Sequence, residues 1–185
     1  SCPVDSILVA QGTYFPDLGT GITNNDSLVS FNIPSDVILF GSYGGLQAGV
    51  DSNSRDWVCT KTILDGEIQQ DGDSSNNSVH VVLTENVGTQ TEVDGFCITG
   101  GYARHPISNG SDGGGWYNKA RGANNRSNPL IRNVRIYNND ASLGGGFANE
   151  ARDTSESNPT LINTIIEGNS ATSEGGGFRD RKSTR

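Results

Sequence analysis

Apolar residues in this chain come in short β-branched bursts, without the three-to-four spacing of an amphipathic helix. Ile7-Leu8-Val9-Ala10, Val37-Ile38-Leu39-Phe40, Thr62-Ile63-Leu64 and Val79-His80-Val81-Val82-Leu83 are the clearest early examples, most with Gly, Asp or Asn close behind. Such runs predict strands closed by turns. Successive runs lie roughly 15 to 30 residues apart. That is too far for hairpins, but it suits strands that stack in parallel, about 4.8 Å apart, after one full circuit of the chain.

The second half of the chain repeats itself. Asn128-Pro129-Leu130-Ile131-Arg132-Asn133-Val134-Arg135-Ile136-Tyr137-Asn138-Asn139-Asp140-Ala141 returns as Asn158-Pro159-Thr160-Leu161-Ile162-Asn163-Thr164-Ile165-Ile166-Glu167-Gly168-Asn169-Ser170-Ala171. Three glycines followed by an aromatic begin at Gly113, Gly144 and Gly175, and a degenerate earlier copy of the Asn-Pro element, Gly95 to Ala103, sets Phe96 and Ile98 over Val134 and Ile136. A fixed period of this kind predicts a parallel β-solenoid, with three short strands and two or three bends in each coil. Ile98, Ile136 and Ile166 then stack one above another inside the coil, and Trp116, Phe147 and Phe178 form an aromatic ladder beside them. Asn133 and Asn163 occupy a bend, where Asn tolerates left-handed backbone angles and stacked amides hydrogen-bond along the axis. The expected organisation is one domain over residues 1–178, with its clear repeats in 95–178. A basic tail, 179–185, is disordered or continues into another coil.

Only 32% of the 185 residues are hydrophobic and 25 are Gly, a balance that would suit disorder were it not for the recurring β-branched runs. The core must therefore be thin. Thirteen Lys and Arg against 21 Asp and Glu give a net charge of −8, which removes nucleic acid and anionic membrane surfaces as partners, since both need a clustered basic face. No apolar stretch approaches the roughly 20 residues of a membrane span, and no charged-then-apolar leader opens the sequence, so a soluble, already processed chain is expected. The cysteines, Cys2, Cys59 and Cys97, lack the close spacing of zinc sites. Either two of them pair, with Cys59 and Cys97 the preferred couple, or all are thiols packed as small hydrophobes.

The Asp65-Gly66 turn, the segment Asp94-Gly95-Phe96-Cys97-Ile98-Thr99-Gly100-Gly101, and the two Asn-Pro repeats with their Gly-Gly-Gly-aromatic elements resemble a known family. It is that of right-handed parallel β-helix surface proteins of the polymorphic outer-membrane protein (adhesin) repeat type. The resemblance implies an all-β, pectin-lyase-like parallel β-helix, secreted or held at the cell surface or in an extracellular matrix, serving adhesion or architecture as a rigid rod. Its partners would be further domains of a longer chain, or glycans. The same fold hosts polysaccharide lyases and hydrolases, so a carbohydrate-binding or carbohydrate-cleaving domain is the alternative. The last coil is uncapped, and its open strands would be covered by head-to-tail stacking of identical copies into a filament.

Catalysis is not expected. Polysaccharide enzymes of this architecture gather Asp with Lys, Arg or His on one strand face, and no local motif here does so. Asp65 and Asp94 each precede a Gly and read as turns, His80 alternates onto the outer face of its run, and His105 stands in no motif. No cofactor is expected beyond calcium at Asp71, Asp73 and Asn76, whose alternate oxygen donors lack the downstream Glu of an EF-hand; the other reading is a solvated turn. Asn25, Asn76, Asn109 and Asn125 each open an Asn-x-Ser triplet for glycosylation. Tyr43, Tyr102, Trp116, Tyr117 and Tyr137 are read first as core or coil-edge packing; Tyr117 and Tyr137, at outward positions, are the better candidates among them for an exposed sugar-stacking face.

Overall fold

The computed structural model describes residues 5–46, 51–58, 61–104 and 111–182, and over these the chain is all-β with parallel sheets and no α-helix. Sheet I holds Asp5–Ala10, Val37–Tyr43, Glu92–Asp94, Leu130–Arg132 and Thr160–Ile162 in that order. Sheet II holds Gly12–Tyr14, Thr62–Asp65, Phe96–Thr99, Arg135–Tyr137 and Ile165–Glu167. Sheet III is shorter, with Tyr102–Ala103, Asp140–Leu143 and Ser170–Glu174, and sheet IV holds Phe31–Asn32, Val82–Glu85, Trp116–Ala120, Phe147–Ala151 and Phe178–Arg181. No sheet pairs two strands adjacent in sequence. From sheet I at Leu130 the chain passes through II, III and IV and is back in sheet I at Thr160, the register partner of Leu130. No helix among the described residues is long and apolar enough to cross a membrane.

Register explains the repeated residues. Ile98 pairs with Ile136 and Ile136 with Ile166, while Trp116 pairs with Phe147 and Phe147 with Phe178. The ring centroids of that last series are 5.7 and 5.2 Å apart. One apolar cluster joins Val93 and Ile131 of sheet I, Ile98 and Ile136 of sheet II, and Trp116 and Phe147 of sheet IV. The glycine runs are themselves part of the ladder: the amides of Gly145, Gly146 and Phe147 donate to the carbonyls of Gly175, Gly176 and Gly177 at 2.9 to 3.1 Å. A Cβ on Gly146 would lie 2.7 Å from both the Gly177 carbonyl and the Asn169 amide, so only glycine permits that approach.

Polar residues are stacked by the same register. Asn133 and Asn163 have φ of 50° and 51°, and the Asn163 amide donates to Asn133 Oδ1 at 2.6 Å. Two further asparagine ladders lie deeper. Asn118 donates to Asn149 at 2.8 Å and Asn149 to Asp180 at 2.9 Å, while Asn139 donates to Asn169 at 3.0 Å. Charges alternate between successive passes as well, with Glu92 to Arg132, Arg126 to Glu156 and Arg135 to Glu167 at 3.0, 3.3 and 2.6 Å. Exposed pairs of this kind contribute at most about 1 kcal/mol each, and they favour one register over its neighbours.

The structure differs from the sequence reading at the C-terminal boundary. Phe178–Arg181 is a paired strand of sheet IV, with Arg179, Asp180 and Arg181 opposite Ala148, Asn149 and Glu150, so the expected tail from 179 begins as sheet; residues 183–185 lie outside the described residues.

Trp116 and Phe147 are 0% exposed, whereas Phe178, in the outermost strand, is 42% exposed. Phe147→Ala is therefore expected to cost about 3–5 kcal/mol, and Phe178→Ala less than about half of that, read as the difference in urea unfolding midpoints.

Candidate functional site

Along sheet IV, alternate side chains leave by opposite faces. Trp116, Asn118, Phe147 and Asn149 join the aromatic and amide ladders, which sends Tyr117, Lys119, Ala148 and Glu150 to the other side. There Glu150 is 0% exposed and is held by four donors. The Tyr117 hydroxyl and Arg121 Nη2 donate to Oε2, the latter at 3.3 Å. Arg152 Nε and Arg181 Nη1 donate to Oε1 at 2.8 and 3.2 Å. Arg121 also donates to the Tyr117 hydroxyl at 3.1 Å. Beside them Arg179 donates to Asp112 at 2.6 Å, and Lys119 pairs with Glu85 at 3.1 Å.

Burial alone would push the Glu150 carboxyl up, but the hydrogen bonds from Tyr117 and Arg152 and the charges of Arg152 and Arg121 outweigh it and hold Glu150 below the usual carboxylate range. Burial, and then the neighbouring Glu150, drive Tyr117 strongly upward, so its proton stays on the phenol. Asp112 is raised by burial against the opposing charge of Arg179. A carboxylate with all its acceptor positions filled and a phenol with a locked proton are poor acid–base catalysts. Three guanidinium groups on one carboxylate, by contrast, leave excess positive charge and unused N–H donors. Arg121 Nε is buried with no hydrogen-bond partner among the described residues.

Sequence reasoning missed this cluster because its members are scattered over several strands and loops. The signal was present in the fourth position of the repeated sheet IV strand, where Lys119, Glu150 and Arg181 alternate in sign and share one register. Two expectations are corrected here. Tyr117, expected to be exposed, is 3% exposed, because its hydroxyl is drawn to Glu150. His80, expected on an outer face, is buried; its Nδ1 donates to the Gly113 carbonyl at 2.9 Å and its ring lies 5.0 Å from that of Tyr117.

The remaining candidates fall elsewhere. Asp71, Asp73 and Asn76 meet in one turn, where Asp71 accepts from the Asp73 amide at 2.9 Å and from the Asn76 side chain at 3.0 Å. Asp73 accepts from the Ser75 amide and hydroxyl, which hold its carboxyl below the usual range. No group of three or more His, Cys, Asp or Glu suited to a metal occurs among the described residues. Asn25 and Asn125 are exposed and Asn76 half-buried; Asn109 and His105 lie outside the described residues. Cys97 carries a free, buried thiol that burial pushes up against the charges of Lys61 and Arg135. Cys59, the expected partner of Cys97, and Cys2 lie outside the described residues. Asp94 is bound by Arg55 at 2.7 Å and by Asn133 at 2.8 Å, and Asp65 accepts from the Glu67 amide. Tyr137 is half-buried, with the Arg135 guanidinium 4.5 Å from its ring centre. A mostly apolar cavity of about 170 Å³ opens between sheet II and Trp57, lined also by Val58, Cys97, Arg135 and Ile165.

Compared with family models, curated proteins and solved structures, the chain matches none.

Because its folded-state pKa lies below that of the unfolded chain, Glu150 stabilises the fold fully above the ordinary Glu value of about 4.3. That contribution is lost as pH falls through the lower folded value. Glu150→Gln is expected to cost roughly 1–3 kcal/mol at pH 7 and to flatten the acid limb of stability against pH, measured by urea unfolding at pH 3 to 7.

Proposed function

We propose that the chain is a non-enzymatic structural module. In this reading it is a parallel β-helix whose coils of about 30 residues stack into a rigid rod, working outside the cell in adhesion or surface architecture. The observation that carries the reading is the order of the open sheet edges. Sheets I, II and IV begin on Asp5–Ala10, Gly12–Tyr14 and Phe31–Asn32, and they end on Thr160–Ile162, Ile165–Glu167 and Phe178–Arg181. Both sets follow the same chain order, and the pairings between them are parallel. One set therefore offers the backbone groups that the other lacks.

Side chains support the same contact. Exposed Ile7 and Leu8 mark the first edge, and exposed Ile162, Ile165 and Phe178 the last. Residues 1–54 contain five Asp and no Lys or Arg, whereas residues 160–182 carry two Arg and one Lys against two Glu and one Asp. The first edge is acidic and the last is balanced, which disfavours head-to-head approach of two first edges. The occupant of each open edge is then a second copy of the chain, in a heterologous contact that does not close and grows into a filament. Contact with carbohydrate is a second reading, favoured by the arginine cluster on sheet IV.

Electron microscopy with light scattering on the purified chain tests the stacking. The expected result is concentration-dependent growth into filaments one molecule wide, abolished by Ile165→Lys with the monomer still folded. A monomer at every concentration overturns the stacking and leaves the open edges to further repeats of a longer chain.

A further inference from the structure

The corner between sheets II and III opens into a groove of about 480 Å³, and Asp65, Glu67 and Asn77 all line it. Gly100 brings two of them together: its carbonyl accepts from Asn77 Nδ2 at 2.8 Å, and a Cβ on it would collide with Asp65 Oδ1. Asn77 is 4% exposed, yet its Oδ1 has no hydrogen-bond partner among the described residues. The bond to Gly100 fixes the amide, because the flipped arrangement would set two oxygens against each other, so the bare atom is an acceptor. A buried acceptor without a donor is costly, and the groove is where a donor can enter. The two carboxylates lack partners in the same way. Asp65 Oδ1 accepts from the Glu67 amide at 3.0 Å and Glu67 Oε1 from the Gly72 amide at 2.9 Å. Among the described residues no Lys, Arg or His forms an ion pair with either. Both are half-buried. Asp140, also on the groove, is neutralised by Arg104 at 2.6 Å. Two negative charges are thus held together without a counter-charge; burial first, and the charge of Glu67 in addition, push the Asp65 carboxyl up against the pull of the Glu67 amide.

From this arrangement we infer that the groove at Asp65, Glu67 and Asn77 binds a primary ammonium group carried by an aliphatic amine. The three residues offer acceptors, and an ammonium offers three donors and no acceptor, so each N–H finds a different partner. Its charge offsets the two carboxylates, and hydrogen bonds in which both partners are ionised are the strong ones. A metal ion suits the groove less well. Calcium takes about six to eight oxygen ligands, and no group of three or more His, Cys, Asp or Glu suited to a metal occurs among the described residues. The groove is also larger than an ion requires: about 480 Å³ falls within the range of about 300–1,000 Å³ usual for small-molecule sites, which leaves room for the alkyl chain behind the ammonium head. A quaternary ammonium would match the charge and leave Asn77 Oδ1 without a donor. Asp65 ends an inner strand of sheet II, so the site stands whether or not the chain stacks end to end.

Nuclear magnetic resonance titration and calorimetry with the whole chain, at pH 7 in an amine-free buffer, test the site. The probes are n-butylamine, Nα-acetyl-lysine methylamide, tetramethylammonium and calcium chloride. The expected result is saturable binding of n-butylamine below about 10 mM, with the Asn77 side-chain amide resonances shifting as the groove fills. Tetramethylammonium, which has no N–H donor, should bind at least about tenfold more weakly. Glu67→Gln keeps an acceptor for the Gly72 amide and removes the charge; it should weaken n-butylamine binding at least about tenfold, the loss of one charge-assisted contact. Asn77→Ser should weaken it as well, and Glu85→Gln, on sheet IV, should leave it unchanged, with thermal unfolding showing that all three are folded. If Asn77→Ser does not fold, Glu67→Gln alone decides. Tighter binding of the lysine derivative than of n-butylamine supports the site and names a protein lysine as the source of the ammonium; the reverse supports it and names a free amine. Absence of n-butylamine binding up to about 10 mM, tetramethylammonium or calcium bound as tightly as the amine, or unchanged binding in Glu67→Gln would each overturn the assignment.

Discussion

Among the described residues, each sheet strand takes its ladder hydrogen bonds from a strand an entire pass away and not from its neighbour in sequence. That constraint governs the rest. Closing a circuit of about 30 residues costs chain entropy that grows only slowly with length, and the cost is offset only if the returning strand lands in register. Identical residues one repeat apart make the register unambiguous: isoleucine meets isoleucine, ring meets ring, and each asparagine amide donates to the asparagine above or below it. A slip of one residue would send Phe147 to the solvent face and Glu150 into the aromatic stack. The glycine runs follow from the same demand, because their backbones approach too closely for any side chain.

The register that builds the core also writes the surface. Since every strand lies over its counterpart, a charge placed once in the repeat recurs at a short, fixed interval, and the chain either alternates its sign or must hold like charges together. It does the first along most faces, as in Glu92 with Arg132 and Arg135 with Glu167. It does the second on sheet IV, where a buried carboxylate gathers three arginines. The outermost strands among the described residues carry the other chemical asymmetry, with Ile7 and Leu8 exposed on the first and Ile162, Ile165 and Phe178 on the last.

Much of the fold was legible because it is periodic. The Asn-Pro segments and the Gly-Gly-Gly-aromatic elements identify the partners of Ile136 and Phe147, since a repeat of 30 or 31 residues states which residues share a position. The earlier passes were harder to read. Val37–Tyr43 pairs directly with Glu92–Asp94, Ile38 opposite Glu92, so this pass is 54 residues long, 24 more than the later 30-residue repeat, and the period is lost. The strand around Val79 to Leu83 begins later than its apolar run, at Val82, because Val81 and Val82 donate to the glycine carbonyls of the next pass. The arginine cluster was illegible to any local motif: Tyr117, Arg121, Glu150, Arg152 and Arg181 converge only after stacking. Tyr117 was placed on the correct face by alternation, yet alternation is blind to the Glu150 carboxylate to which its hydroxyl donates.

The central claim is that strands one pass apart are in parallel register. Nuclear Overhauser contacts between assigned side chains measure this directly. The account predicts contacts of Trp116 with Phe147, Phe147 with Phe178, Ile98 with Ile136, and Ile136 with Ile166, with none of the cross-strand pattern of a hairpin between Leu130–Arg132 and Arg135–Tyr137. Hairpin contacts between those neighbouring strands, with the long-range series missing, would contradict it.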